Sequence, residues 1–348
     1  GVIEMIDLRS DTLTLPSKDM MAFAFAAPVG DAGRQNESGR SCDPSVNQLE
    51  DLACQLTGKD AALFMPSGTL GNHVALMTHC TDGKSVLLDD KQHSYRVEKA
   101  AFFPYWGGLT PVFFKLSEEG LPLIDSVAAG LDSGVRLLCL ENTHNSAGGV
   151  FLPQKTLKML RTLADRAGVP IHMDGARLFN AAIASGMDAS EICSYADSVM
   201  FCTSKGLGAP MGSLLCGSKE FIQKAAETRK LLGGNLRQAG FMAAAGEYAL
   251  RHNIPALVED HRRARELCSL LQDVQTISIP SVVQSNIIIL DITGTHLSSS
   301  EFIARLKVRG LWLSESGSSH VRMLLYSEIS DAEVQQAARI LKEFLSEL

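Results

Sequence analysis

"SVMFCTSKGLGAP", residues 198–210, carries the reading of the whole chain. Val199 to Cys202 are apolar and read as a buried strand. The run stops at Thr203-Ser204, then comes Lys205, with Gly206 and Gly208 behind it. In open α/β sheets, ligands gather just beyond the carboxyl ends of the strands. A lysine at such a place has two readings. It sits on a surface loop, or it reaches a carbonyl carbon in a pocket and forms a Schiff base once its site lowers its pKa.

Outward from this stretch the chain alternates. "DPSVNQLEDLACQLTG" is amphipathic, with Asp43 as its cap, Pro44 early and Gly58 at its close. "AALFMP", "SVLLD", "TPVFFKL", "VRLLCLEN", "PIHMD", "SVMFCT" and "GSLLCG" read as strands, with helical stretches such as "SGTLGNHVALMTHC" and "PQKTLKMLRTLADRAG" between several of them. This alternation predicts an α/β domain with a mostly parallel sheet covered by helices on both faces. After about residue 250 the texture changes to a long helix, "SNIIILDI", a helix near 299–309, "LWLSES", "HVRMLLYS" and a closing helix. Two domains are expected: residues 1–250, and a smaller α+β domain at 251–348.

Composition narrows the function. The 348 residues carry a net charge of −7, with basic residues scattered, so no nucleic-acid partner is expected. No apolar run approaches the roughly 20 residues that cross a bilayer, and "GVIEMIDLRSDT" lacks the basic start and apolar core of a secretion signal. Eight cysteines show no metal-type spacing and several lie in apolar runs, which fits reduced core residues in the cytoplasm. No metal site is expected. G-x-S-x-G, G-x-x-x-x-G-K-[ST] and G-x-G-x-x-G are all absent.

Polar residues collect at the strand ends. In "MPSGTLGN", Ser67, Gly68 and Thr69 precede a helix, and backbone N–H groups there suit a phosphate, although a plain capped turn reads the same way. In "HMDGARLFN", Asp174 closes a strand and Arg177 follows. The carboxylate suits a pyridinium or imidazolium proton, or simply caps the turn. His93 in "DDKQHSYRVEK" and His144 in "ENTHNSAGG" are acid/base candidates or polar loop residues. The order of phosphate turn, Asp174 and Lys205, 31 residues later, favours the chemical readings.

With these residues in order, the sequence resembles the low-specificity L-threonine aldolases, pyridoxal 5′-phosphate (PLP) enzymes of fold type I, the aspartate-aminotransferase-like fold. The resemblance covers nearly the whole chain through "MIDLRSDTLTLPS", "AAPVGD", "DPSVNQLE", "LENTHN", "HMDGARLFNA", "SKGLGAPMGSLL" and "GGNLRQAGFMAAAG". It implies that Lys205 holds PLP as a Schiff base, Asp174 pairs with the pyridine nitrogen, and Arg177 lies near the ring hydroxyl. Ser67, Gly68, Thr69 and Ser204 would hold the phosphate, and Arg237 would approach it from a neighbouring subunit. His93 would stack on the ring, and His144 would sit near the substrate's β-hydroxyl as base or as the residue that positions a water. Ser10, Arg177 and Arg322 would contact the substrate carboxylate. The implied reaction splits a β-hydroxy-α-amino acid, L-threonine or L-allo-threonine, to glycine and an aldehyde. The implied state is a homodimer or homotetramer with shared active sites.

The same residues also serve β-elimination, racemisation or transaldolation, and a PLP fold that only binds is the remaining alternative. The sequence departs from the family pattern at three places. Residues 31–43, "DAGRQNESGRSCD", are longer and lack a tyrosine, Tyr326 stands where a histidine is common, and Asn235 replaces a glycine.

Overall fold

The computed structural model describes residues 5–279 and 283–348. The start of the stretch read against a secretion signal, residues 1–4, lies outside them. A seven-stranded sheet forms the centre, in the order Ala61–Met65, Ser213–Gly217, Ser198–Cys202, Ile171–Asp174, Leu137–Glu141, Ser85–Asp89 and Thr110–Phe114. Ser213–Gly217 runs antiparallel to both neighbours, and the remaining pairs are parallel. This is the expected fold class.

Leu137–Glu141, Ile171–Asp174 and Ser198–Cys202 are buried at every residue. That burial explains their unbroken apolar runs, because helices cover both faces of a parallel sheet and leave no polar side. Phe201 packs edge-on against Phe179 with ring centroids 5.3 Å apart. Burying each such side chain is worth roughly 2–3 kcal/mol.

The helix Pro44–Thr57 starts and ends where the sequence marks it. Asp43 Oδ1 accepts from Ser45 N (3.0 Å) and Val46 N (3.1 Å), and Gly58 closes the helix in the left-handed region at φ 67°. Asp43 Oδ2 also accepts from Gly30 N and Gly240 N, so one buried cap ties three segments together.

A second core lies under the C-terminal elements. It joins Leu267, Ile288, Phe302, Met323 and Phe344 to Ile6 and Leu8 from the other end of the chain. Helix Leu257–Leu270 bridges the two cores, with Leu257 in the first and Ala264 in the second. "LWLSES" forms two short strands. Leu311–Trp312 pairs in parallel with Ile6–Asp7, while Ser314–Glu315 joins His320–Leu324 and Ile287–Asp291 in an antiparallel sheet. Each half meets a different neighbour, which periodicity cannot reveal. Tyr326 is buried, and its hydroxyl donates to the Asp7 carbonyl at 2.7 Å. The N-terminal strand is thus pinned to the small sheet, and the next turn carries Asp11 back toward the large one.

Candidate active site

Parallel strands deliver their last residues to one edge of the sheet. Asp89, Glu141 and Asp174 each end a strand, and Lys205 follows the end of Ser198–Cys202. Lys205 is half-buried, and its carbonyl accepts from Thr14 Oγ1 at 2.7 Å and Gly208 N at 2.9 Å. These bonds fix its backbone, while its amine has no hydrogen-bond or ion-pair partner among the described residues. The neighbours of Cys202 show what has converged here. Burial pushes this thiol up, and the charges of Lys205, Asp174, Arg177 and Glu98 all act on it.

Asp174 is buried and doubly anchored. Oδ1 accepts from Ala176 N at 3.0 Å, the capping contact, and Oδ2 accepts from Asn72 Nδ2 at 2.9 Å. Ser67 caps helix Gly68–His79 by accepting from Leu70 N at 3.1 Å, and the N–H groups of Gly68 and Thr69 at the helix start have no partner among the described residues. A Cβ on Gly68 would come within 2.7 Å of Cys202 Sγ, so the glycine lets this turn lie against the strand that leads to Lys205. Ser204 is half-buried beside it.

The two histidines are held differently. His93 Nδ1 meets Glu98 Oε1 at 3.0 Å, and its backbone N–H donates to Glu141 Oε2 at 2.8 Å. The Glu98 hydrogen bond raises the His93 pKa, and Nε2 has no partner among the described residues. His144 is buried with both ring nitrogens engaged. Nε2 meets Asp89 Oδ1 at 3.1 Å, and Nδ1 accepts from Ala147 N at 3.2 Å. Burial opposes charge on His144, but Glu141 and Asp89 outweigh it and lift the ring to about 8. A second proton, on Nδ1, must break the Ala147 contact.

Two guanidinium groups meet at one amide. Arg177 donates to both oxygens of the buried Asp11 at 2.7 Å, and its Nη1 reaches Asn145 Oδ1 at 3.3 Å. Arg322 Nη1 donates to the same Asn145 oxygen at 2.7 Å. Arg322 has no carboxylate partner among the described residues, and burial together with the Arg177 charge lowers its pKa to about 10. A desolvated cation beside a second cation is a place made for an anion.

Two expected residues are turned elsewhere within this chain. Ser10 Oγ accepts from Thr12 N and Thr12 Oγ1, capping the turn that presents Asp11. Arg237 is exposed and pairs with Asp31 at 2.9 Å. The 31–43 segment folds on itself through Asn36 Oδ1, which accepts from Ser38 and Arg40, and its side chains reach Asn47, Asp51 and, of the expected site residues, Arg237. A cavity of about 860 Å³ opens beside it, lined in part by Glu50 and Arg229, and none of the expected site residues lines it.

Sequence reasoning missed Asp11, Asn72, Asp89, Glu98, Glu141 and Asn145. Asn145 and Glu141 lie inside the quoted "ENTHN" and Asp11 inside "RSDT", so proximity to a motif was the available signal. Asn72 closes the quoted "MPSGTLGN" and Asp89 and Glu98 lie in "DDKQHSYRVEK", but a glutamate in a polar run and an asparagine on a helix look solvated.

These groups fit PLP. A half-buried amine without a partner suits its carbonyl, a buried carboxylate its ring nitrogen, and a free helix start its phosphate.

The comparisons agree with the geometry. A family model described as beta-eliminating lyase matches residues 7–294. Low-specificity L-threonine aldolase 1 of Arabidopsis thaliana is 37% identical over 96% of this chain and 94% of its own. Low specificity L-threonine aldolase of Escherichia coli K12 is 36% identical over 98% of this chain and 100% of its own. A solved threonine aldolase of Leishmania major superposes with a TM-score of 0.81 at 17% identity, covering 97% of this chain and 99% of that one, which speaks to the fold alone. The chain belongs to the beta-eliminating lyase family and, within it, groups with the low-specificity L-threonine aldolases.

Proposed function

We propose that this protein cleaves a β-hydroxy-α-amino acid, L-threonine or L-allo-threonine, to glycine and an aldehyde, with PLP anchored on Lys205. The observation that carries the reading is Arg322. It is a half-buried cation without a carboxylate partner among the described residues, sharing Asn145 Oδ1 with Arg177, whose partner Asp11 lies within the field of Lys205. An α-carboxylate supplies the missing charge. The names of the 36–37% identical relatives support the substrate class.

When bound, PLP supplies a sink for the electron pair left on Cα as the Cα–Cβ bond breaks. The chain's residues do the rest. Asp174 holds a proton on the ring nitrogen, and the Asn72 N–H donates to that carboxylate and fixes its orientation. Gly68 and Thr69, with Ser67 and Ser204 beside them, receive the phosphate at the helix start. Arg177 would lie near the ring hydroxyl, and Arg322 would orient the carboxylate so that the bond to be broken is held in one direction, while Ser10 caps the turn that presents Asp11. Arg237, exposed in this chain, serves a neighbouring subunit's phosphate.

Of the two imidazoles, His93 keeps a nitrogen open. Glu98 accepts its Nδ1 proton, which makes Nε2 the basic atom and His93 the group that takes the β-hydroxyl proton. His144, filled by Asp89 and Ala147, shapes the wall near the β-substituent and steadies the "ENTHN" turn.

The protein is assigned to the cytoplasm as a homodimer or homotetramer. Eight thiols without a disulfide support a reducing compartment, and no helix among the described residues is long and apolar enough to cross a membrane. Exposed Tyr105, Trp106 and Leu231 support association. Product analysis tests the reaction. Glycine and acetaldehyde from threonine, lost in Lys205→Ala, are expected. Pyruvate and ammonia from serine as the main products would replace this reading with β-elimination.

A further inference from the structure

Behind Asp174 a hydrogen-bond chain runs away from the site. Asn72 Nδ2 donates to Asp174 Oδ2 at 2.9 Å and to Glu98 Oε1 at 3.2 Å. Asn72 Oδ1 meets His172 Nε2 at 3.1 Å, His172 Nδ1 meets Ser198 Oγ at 2.8 Å, and Ser198 Oγ meets His79 Nε2 at 2.8 Å. Asn72, His172 and Ser198 are all buried. The architecture explains the alignment. His172 and Asp174 are two apart on one strand and share a face. Ser198 is the register partner of His172 on the next strand, and Asn72 and His79 lie two turns apart on the helix above.

The direction of every bond follows from valence. A carboxylate accepts only, so the Asn72 NH2 must face Asp174 and Glu98, and its oxygen must face His172. His172 Nε2 must then carry a proton. Burial pushes His172 down to about 3, so the ring is neutral and its Nδ1 has to accept. Ser198 therefore donates to Nδ1 and accepts from His79, which burial likewise keeps neutral with a pKa of about 4. Only one arrangement satisfies all four side chains.

We infer that His172 is a positioning residue for the reaction: its Nε2–H locks the Asn72 amide so that N–H, and never C=O, faces the Asp174 carboxylate. A flipped amide would set its oxygen between Asp174 and Glu98 and force one of them to take a proton. Asp174 would then lose the charge that holds the ring-nitrogen proton. The inference rests on the reading of Asp174 as the partner of that nitrogen.

Three single variants, one double variant and one spectrum test it. Nitrogen-15 NMR of the wild-type protein, recorded without PLP, should show His172 as a neutral Nε2–H tautomer at neutral pH. An Nδ1–H tautomer or an imidazolium overturns the inference even if no variant folds. PLP affinity gives the second readout. His172→Leu removes the donor and should raise the PLP Kd about tenfold, the scale of lost outer support in a bound site. His172→Gln, which restores an N–H toward Asn72, should return most of that loss. Asp174→Asn should lose at least as much, and adding His172→Leu to it should cost little more. A His172→Leu protein with wild-type PLP affinity, beside an impaired Asp174→Asn, overturns the role of His172 and leaves Asp174 standing. An Asp174→Asn protein that binds PLP like the wild type overturns the Asp174 reading, and this inference with it.

Discussion

The Asp11 carboxylate takes two 2.7 Å hydrogen bonds from the Arg177 guanidinium, across 166 residues of sequence and with both side chains buried. Asp11 belongs to the N-terminal segment that is pinned to the small sheet, and Arg177 to the turn after Asp174. The pair therefore stitches the two cores together beside the lysine.

Breaking one side of a buried pair leaves an uncompensated charge, which costs roughly 3–5 kcal/mol. Asp11→Asn should lose about that much in urea unfolding. Burial raises the Asp11 pKa, and Arg177 more than offsets this, so the native value lies below the ordinary one. The stabilisation is present above the unfolded aspartate range and disappears as pH falls through the native value. A loss under about 1 kcal/mol, the range of an exposed pair, would show that the bond is ornamental.

Arg322→Ala should raise KM for threonine more than it lowers kcat, with kcat/KM falling about 100-fold, or ~2.7 kcal/mol. Arg322→Lys should recover little, because an ammonium cannot reproduce the planar fork on a carboxylate while also reaching Asn145. Steady-state kinetics decide. An unchanged KM in both variants places the substrate carboxylate elsewhere.

Glu98→Gln should move the acid limb of the kcat/KM profile to lower pH. The Glu98 hydrogen bond is the leading cause of the raised His93 pKa, and glutamine removes its charge. In the wild type that limb should lie above the ordinary imidazole value of about 6.5. A limb that follows His144→Phe and ignores Glu98→Gln would assign the base to His144.

His144 predicts a pH-dependent stability. Its native pKa of about 8 lies above the ordinary value of about 6.5. The protonated ring therefore stabilises the fold below pH 6.5, and that contribution fades as pH rises through about 8, by ~2 kcal/mol in all. The stability difference between wild type and His144→Phe, measured by urea unfolding from pH 6 to 9, should shrink accordingly. A level difference means that the Ala147 N–H keeps the ring neutral throughout.

The sheet was readable because its strands are buried on both sides, and so appear as short apolar runs between amphipathic helices. Asp43, Pro44 and Gly58 announced their helix for the same local reason. Lys205, Asp174 and the Ser67-Gly68-Thr69 turn stood out because each ends such a run. What sequence could not supply was pairing at a distance. Ile6–Asp7 joins Leu311–Trp312 from the far end of the chain, and Asp11 meets Arg177 only once that strand is in place. Nothing in "HSYRVE" says that Glu98 turns inward onto His93, or that Asn72 separates it from Asp174. The sequence also marks His144 as a base, and only the folded chain brings Asp89 and Ala147 to occupy both its nitrogens.

The most direct test of the account is borohydride reduction of the PLP-loaded protein followed by peptide mapping. The account predicts that the visible band bleaches and that the pyridoxyl label sits on Lys205 alone. A label on another lysine, or a protein that takes up PLP without a reducible adduct, would contradict it.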